Sequence, residues 1–232
     1  MRKYTYQENI NIDLTPEFAY SLGFIWGDGH VVKKLNEIRI EIVSKDAHQI
    51  IKILKKIGRW TFYERTRKNR QPQTTIRTSD IKFKKFLEKY NYTTKSSDCT
   101  IFYELSDDLK KYFLLGLLDA DGCIDKDRNH VSFSAPYEQD WKFLEIYLKN
   151  NNIEYKITKH VSNTNSKHSF IRMIGYKNVI KFLDLLYHNN PILSLSRKKE
   201  KYLFIKERWK KSINNPSNNP KIKNLKYKFI SF

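Results

Sequence analysis

Two aspartates, Asp28 and Asp121, each stand before the last glycine of a short apolar segment, SLGFIWGDG at 21–29 and LLGLLDADG at 114–122. Read as helices, both segments end in a carboxylate at the pole where the helix dipole is already negative, a place that stability alone would give to lysine. The glycine that follows suits the left-handed turn closing many helices. Packed side by side in the same direction, two such helices bring both carboxylates to one end of their interface, where mutual repulsion adds to the dipole penalty. A divalent cation relieves both. Oxygen ligands with room for water and a phosphate suit Mg²⁺ rather than zinc.

The elements that must position these acids form a repeat. Aligned without a gap, the segments match at Leu22/Leu115, Gly23/Gly116, Asp28/Asp121 and Gly29/Gly122, 93 residues apart. Gly23 and Gly27, like Gly116 and Ala120, are spaced i and i+4 and give each helix a flat face on which a second backbone can press closely. After each segment the pattern alternates and then turns helical, as in Ile38, Ile40 and Ile42 followed by Ala47, Ile50, Ile51, Leu54 and Ile57. Two further strand-like runs and a helix complete each half. The chain therefore reads as α+β, two αββαββα units with antiparallel sheets, the first over 1–100 and the second over 101–211. The second ends in a basic helix that Leu203, Phe204 and Trp209 anchor, and a basic tail follows over 212–232, where Asn-Pro pairs stop helices.

Charge points to the partner. In 232 residues, 44 Lys and Arg face 25 Asp and Glu, a net charge of +19, with twelve Lys/Arg against two Glu from 194 onward. Such an excess fits a polyanion, and nucleic acid above all, since phosphates release counterions when lysine and arginine neutralise them. No run approaches the ~18 apolar residues of a membrane span, and the N-terminus lacks the apolar core of a signal peptide, so a membrane and secretion are not expected. Cys99 and Cys123 form no CxxC pair and the six histidines no HExxH, which excludes the familiar zinc sites.

LLGLLDADG resembles the name-giving motif of the LAGLIDADG homing endonucleases, and SLGFIWGDG resembles a divergent first copy. The resemblance spans roughly residues 16–209. It implies a saddle of two αββαββα units whose sheets lie in the DNA major groove, and a monomer that cuts both strands of a long asymmetric double-stranded site, leaving short 3′ overhangs. It implies Mg²⁺, with Mn²⁺ as a substitute, in a metal site formed by Asp28, Asp121, Gly27 and Ala120, and a supporting role for Asp119. It also implies one basic residue per half near the scissile phosphates. TTKSSDCTIFYEL points to Lys95, and LSLSRKKEKY to Lys198 or Arg197, with Lys198 favoured. The expected setting is the cytoplasm of a bacterium or phage-infected cell, or an organelle matrix.

Strand alternation suggests which residues read DNA. With the isoleucines of 38–42 facing the helices, Arg39 and Glu41 face the groove. With Trp60 and Phe62 inward, Thr61, Tyr63, Arg65 and Arg67 face out, and Arg77 joins them. Lys156, Thr158, His160 and Arg172 are the second-half equivalents, Arg172 sharing its face with Phe170 and Ile174. The competing readings are an RNA maturase and a DNA-binding protein that keeps the scaffold without cleaving. A PD-(D/E)xK nuclease built on Asp140, Glu154 and Lys156 leaves the repeat unexplained.

Overall fold

The computed structural model describes residues 10–32, 36–66, 71–93, 95–161, 165–187 and 193–214. Arg67 and most of the basic tail lie outside them. The first unit runs α1 (Pro16–Asp28), β1 (Gly29–Val32), β2 (Glu37–Val43), α2 (Ser44–Ile57), β3 (Thr61–Arg65), β4 (Gln73–Thr78) and α3 (Ile81–Lys89). A single helical turn, α4 (Ile101–Glu104), leads into the second unit: α5 (Asp107–Asp121), β5 (Gly122–Asp125), β6 (His130–Pro136), α6 (Lys142–Asn150), β7 (Lys156–Val161), β8 (Lys167–Ile174) and α7 (Tyr176–Tyr187), then α8 (Ser196–Asn214). The two antiparallel sheets have the equivalent orders β1-β2-β4-β3 and β5-β6-β8-β7. The fold is α+β and pseudo-symmetric, as the repeat requires.

The helices at the centre are the two glycine segments. Thr15 caps α1 by accepting from the backbone N–H of Phe18, with Pro16 at the first helical position. A Cβ on Gly23 would lie 1.8 Å from the carbonyl oxygen of Phe113, and one on Gly116 would lie 2.0 Å from that of Tyr20. Only glycine permits this approach. Gly27 meets Ala120 and Asp121 in the same way, so contacts advance together along both chains and the helices run parallel.

Each sheet covers the helices with one face. Ile38, Ile40, Ile76, Val131, Phe133, Ile171 and Met173 are buried on the inner faces. Register places the alternate residues on the opposite face: Arg39 across from Arg77, Thr61 across from Arg77, and Tyr63 across from Thr75 in the first sheet. Lys156 stands across from Arg172 and Thr158 across from Phe170 in the second.

Three expectations from the sequence fail here. Gly29 and Gly122 are not left-handed: their φ values are −82° and −78°, and each opens a strand. Glycine is needed because a Cβ would strike the last helical turn, at 2.7 Å from the Ile25 carbonyl oxygen and 2.6 Å from that of Leu118. Phe62 has inward parity but is 50% exposed on the edge strand β3, where its ring lies under Lys55 of α2. In α8, Leu203 and Phe204 are exposed, while Lys198, Tyr202 and Ile205 are buried and Trp209 stacks on Tyr176. That stripe follows i, i+4, i+7, i+11.

Candidate functional site

The paired helices deliver Asp28 and Asp121 to one end of their interface. The strand that follows each aspartate is a sheet edge, so the carboxylates stand where the two sheets border the helix pair. Asp28 is half-buried and Asp121 more open, yet among the described residues neither side chain has a hydrogen bond or an ion pair. Burial pushes the Asp28 carboxyl up to about 6, the charge of Asp121 adds to the rise, and Lys198, Lys95 and Arg197 oppose it in that order. Burial also raises Asp121, with Lys95 the first cation to oppose the rise and Lys198 the second.

Two lysines close the helix ends. Lys95 Nζ donates to the carbonyl oxygen of Gly27 at 3.0 Å and to that of Gly29. Lys198 Nζ donates to the carbonyl oxygens of Asp119 and Gly122, both at 2.8 Å, and to that of Leu118. Each ammonium thus caps the negative pole of one motif helix. The charges cross over, because Lys198 acts more strongly than Lys95 on Asp28, and Lys95 more strongly than Lys198 on Asp121. Burial brings both lysines down to about 8.

Gly27, Lys95 and Asp121 line a cavity of about 190 Å³ walled by Trp26, Phe133 and Trp141. Arg197 points elsewhere, bonding Asp46 at 2.7 Å. Asp119 is set apart from the two carboxylates. It is buried, accepts from Tyr20 Oη and from the Leu195 N–H at 2.7 Å each, and burial raises its carboxyl to about 6.

Hard oxygen donors suit a divalent cation here. Among the described residues no group of three or more His, Cys, Asp or Glu is placed to hold a metal. Two carboxylates lacking partners among the described residues fit a cation that completes its shell with water and a substrate oxygen. Of the two small residues beside them, Gly27 has its carbonyl engaged by Lys95.

On the open face of the first sheet, Glu37 receives Arg39 at 2.7 Å and Arg77 at 3.3 Å, and the Arg77 guanidinium lies 5.5 Å from the centre of the Tyr63 ring. Glu41 and Arg65 share that face. Sequence reading missed Glu37. Its parity with Arg39 was the available signal, since an acid flanking an outward arginine on a strand invites a partner. On the second sheet Lys156, Thr158, His160 and Arg172 share the open face, with Arg172 bonded to Thr158 at 3.0 Å and 4.4 Å from the Phe170 ring centre.

With this geometry in view, the model of one family, the LAGLIDADG-like domain, matches residues 108–187. The second unit is similar to a LAGLIDADG-like domain. The match includes α5 and the whole sheet it covers. Solved LAGLIDADG structures extend the likeness to both units at the level of fold. The homing endonuclease I-WcaI bound to its DNA recognition sequence aligns at a TM-score of 0.54 and 16% identity, covering 84% of this chain and 88% of that one. I-DmoI in complex with DNA and Mn aligns at 0.52 and 17%, covering 76% and 99%. The N-terminal LAGLIDADG domain of DUF199/WhiA aligns at 0.53 and 15%, covering 81% and 87%. Among curated proteins no sequence matches this chain. No helix of the described residues is long and apolar enough to cross a membrane.

Proposed function

We propose that this protein is a site-specific double-strand DNA endonuclease of the homing type, a monomer acting on a long asymmetric duplex and leaving short 3′ overhangs. The observation that carries this reading is the pair of carboxylates, Asp28 and Asp121, without partners among the described residues, at the joined ends of two parallel helices, each end closed by a lysine. Two equivalent centres suit two strands. The LAGLIDADG neighbours add support, since I-WcaI and I-DmoI are seen with DNA and I-DmoI with Mn.

Asp28 and Asp121 would hold the metal, Mg²⁺ or Mn²⁺ in its place, with Ala120 and Gly27 giving the backbone room beside it. When bound, the metal neutralises charge on the phosphate and lowers the pKa of water. Lys95 and Lys198 supply positive charge at the scissile phosphates. Because their protons are donated to helix carbonyls, the ammonium groups keep a fixed position without consuming the carboxylates. No protein nucleophile is needed. Asp119 serves the site indirectly, by holding Leu195 and with it the start of α8.

Base reading falls to the open sheet faces, through Arg39, Glu41, Tyr63, Arg65 and Arg77 in one half and Lys156, Thr158, His160 and Arg172 in the other, and Arg67, outside the described residues, is assigned the same role from the sequence. Arginine bridging guanine O6 and N7 discriminates by about 1–3 kcal/mol. The enzyme works in a bacterial or phage-infected cytoplasm or an organelle matrix, where such DNA is found.

The test is cleavage of a duplex library in Mg²⁺ by wild type, Asp28→Asn and Asp121→Asn, with the ends sequenced. Wild type gives discrete breaks with 3′ overhangs, and each substitution lowers the rate by about 10²–10³-fold while binding persists. Specific binding by wild type without cleavage would instead establish a reader or an RNA maturase.

A further inference from the structure

The lysine-bearing segments are fastened in an unexpected direction. Most of α8 packs on the second unit, where Tyr202 and Lys206 bond Asp184 and Arg208 bonds the Lys126 carbonyl. Its first turn is fastened to the first unit. The Gln49 side-chain amide donates to Ser196 Oγ at 2.6 Å and accepts from the Ser196 N–H at 3.1 Å, and Asp46 holds Arg197. Asp46 and Gln49 lie on α2. The next residue is Lys198, whose charge acts mainly on the buried Asp119 and, of the two aspartates before the motif glycines, on Asp28 of the first unit.

The Lys95 segment shows the mirror arrangement. It follows α3 of the first unit but is sewn to the second, with the Asp140 N–H donating to the Ser96 carbonyl at 2.7 Å and the Phe143 N–H to Asp98 Oδ1 at 3.2 Å. Lys95 acts mainly on Asp121 of that same second unit. Each lysine therefore donates to the helix end of one unit while its segment is fastened to the other: Lys95 to α1 with Ser96 and Asp98 held by the second unit, Lys198 to α5 with Ser196 and Arg197 held by the first. The two fastenings differ in kind. The bonds that tie Ser196 and Arg197 to the first unit use side chains of α2, whereas the Lys95 segment is held through the Ser96 carbonyl, through Asp98 and through the Ser97 carbonyl, which accepts from Gln139.

We infer that Asp46 and Gln49 are positioning residues that hold Lys198 in place at the end of α5, so that cutting of one DNA strand depends on a clasp which cutting of the other does not use. This rests on the endonuclease reading. An isolated helix start frays, with up to four N–H groups lacking helical partners. The clasp fills the Ser196 donor and fixes the side of α8 that faces the first unit. Without it, Lys198 is steered only by its carbonyl contacts within the second unit and loses its reference to the first unit. Misplacing a catalytic group by about 1 Å can cost up to about 100-fold in rate.

The experiment uses the full chain with Mg²⁺ and a supercoiled plasmid carrying a duplex that wild type cuts, recovered from a randomised library, each strand being followed on denaturing gels. Wild type linearises the plasmid. The double variant Asp46→Asn, Gln49→Ala accumulates nicked circles in which a single, constant strand is uncut, that strand slowed by about tenfold, with binding of the duplex unchanged. A charge exchange, Asp46→Arg with Arg197→Asp, returns the second cut. Equal slowing of both strands, unaltered cleavage in the double variant, or no rescue by the exchange overturns the inference while leaving the endonuclease reading intact. A wild type that binds duplex DNA but cuts none of it overturns the endonuclease reading, and this inference with it.

Discussion

Trp26 and Asp119 occupy the same place in the two glycine segments and solve the same problem with opposite chemistry. Trp26 is buried edge-on against Tyr92, with ring centres 4.9 Å apart, and Tyr92 Oη donates to the Leu22 carbonyl. Asp119 is equally buried but bonds Tyr20 and the Leu195 N–H. Both side chains tie the lysine-bearing segment to a motif helix, one by aromatic packing and one by hydrogen bonds. Symmetry of the fold therefore asks for the backbone contact at the glycines and for a lysine at each helix end. The anchor behind each lysine is free to differ.

The largest way to break this comparison is to remove each anchor. Trp26→Ala empties a packed aromatic site and is expected to cost about 3–5 kcal/mol. Asp119→Ala leaves the Tyr20 hydroxyl and the Leu195 N–H without their acceptor and should cost about 1–3 kcal/mol. Urea unfolding of both variants measures the gap. Equal losses would mean that Asp119 also contributes packing that the hydrogen bonds conceal.

The sheets extend the contrast. The first presents two arginines gathered on one buried carboxylate, the second an arginine lying along a phenylalanine. Selection of bound duplexes from a randomised library should show Arg77→Ala losing about 1–3 kcal/mol of guanine preference at one position. Glu37→Gln should relax that same position while tightening binding to unrelated DNA, because a negative charge leaves the face. If both variants weaken every sequence equally, the arginines contact phosphates.

The smallest effect sharpens the comparison between acids and lysines. Without divalent metal, Asp28 titrates near 6 in the folded chain against 3.8 ordinarily, so the folded state binds the extra proton. Stability relative to Asp28→Asn is then greatest below about pH 4 and falls until about pH 6. Lys198 titrates near 8 against 10.5 ordinarily, so stability relative to Lys198→Met falls as pH drops from about 10.5 to about 8. Both losses are complete between pH 6 and 8. Unfolding curves across pH should show that trough for the wild type, and Mg²⁺ should fill its acidic side alone.

Much of this was legible because the repeat is local. Nine-residue segments announce two helices, and alternation at Ile38, Ile40 and Ile42 separates the inner face from the outer. Lys95 and Lys198 were legible through the family resemblance alone. The missing pieces depend on residues far apart in the chain. Glu37 gathers Arg77 from 40 positions away, Gln49 meets Ser196 across 147, and Asp119 finds Tyr20 across 99. Periodicity carries no record of such pairs. Phe62 and Phe204 show the complementary failure, since hydrophobicity gave them to the core while an edge strand and a helix stripe leave them exposed.

The contact at Gly23 and Gly116 also acts as a ruler. Where helices touch through carbonyl oxygens at Gly23 and Gly116, and through no more than the Ala120 methyl at Gly27, there is little side chain to swell or shrink, so the span between Asp28 and Asp121 is set by backbone contact. A half-molecule from another chain with small residues at the equivalents of positions 23 and 27, or 116 and 120, would seat on this seam at the same spacing. Recombination along it would exchange the sheet that faces outward and leave the gauge of the centre unaltered.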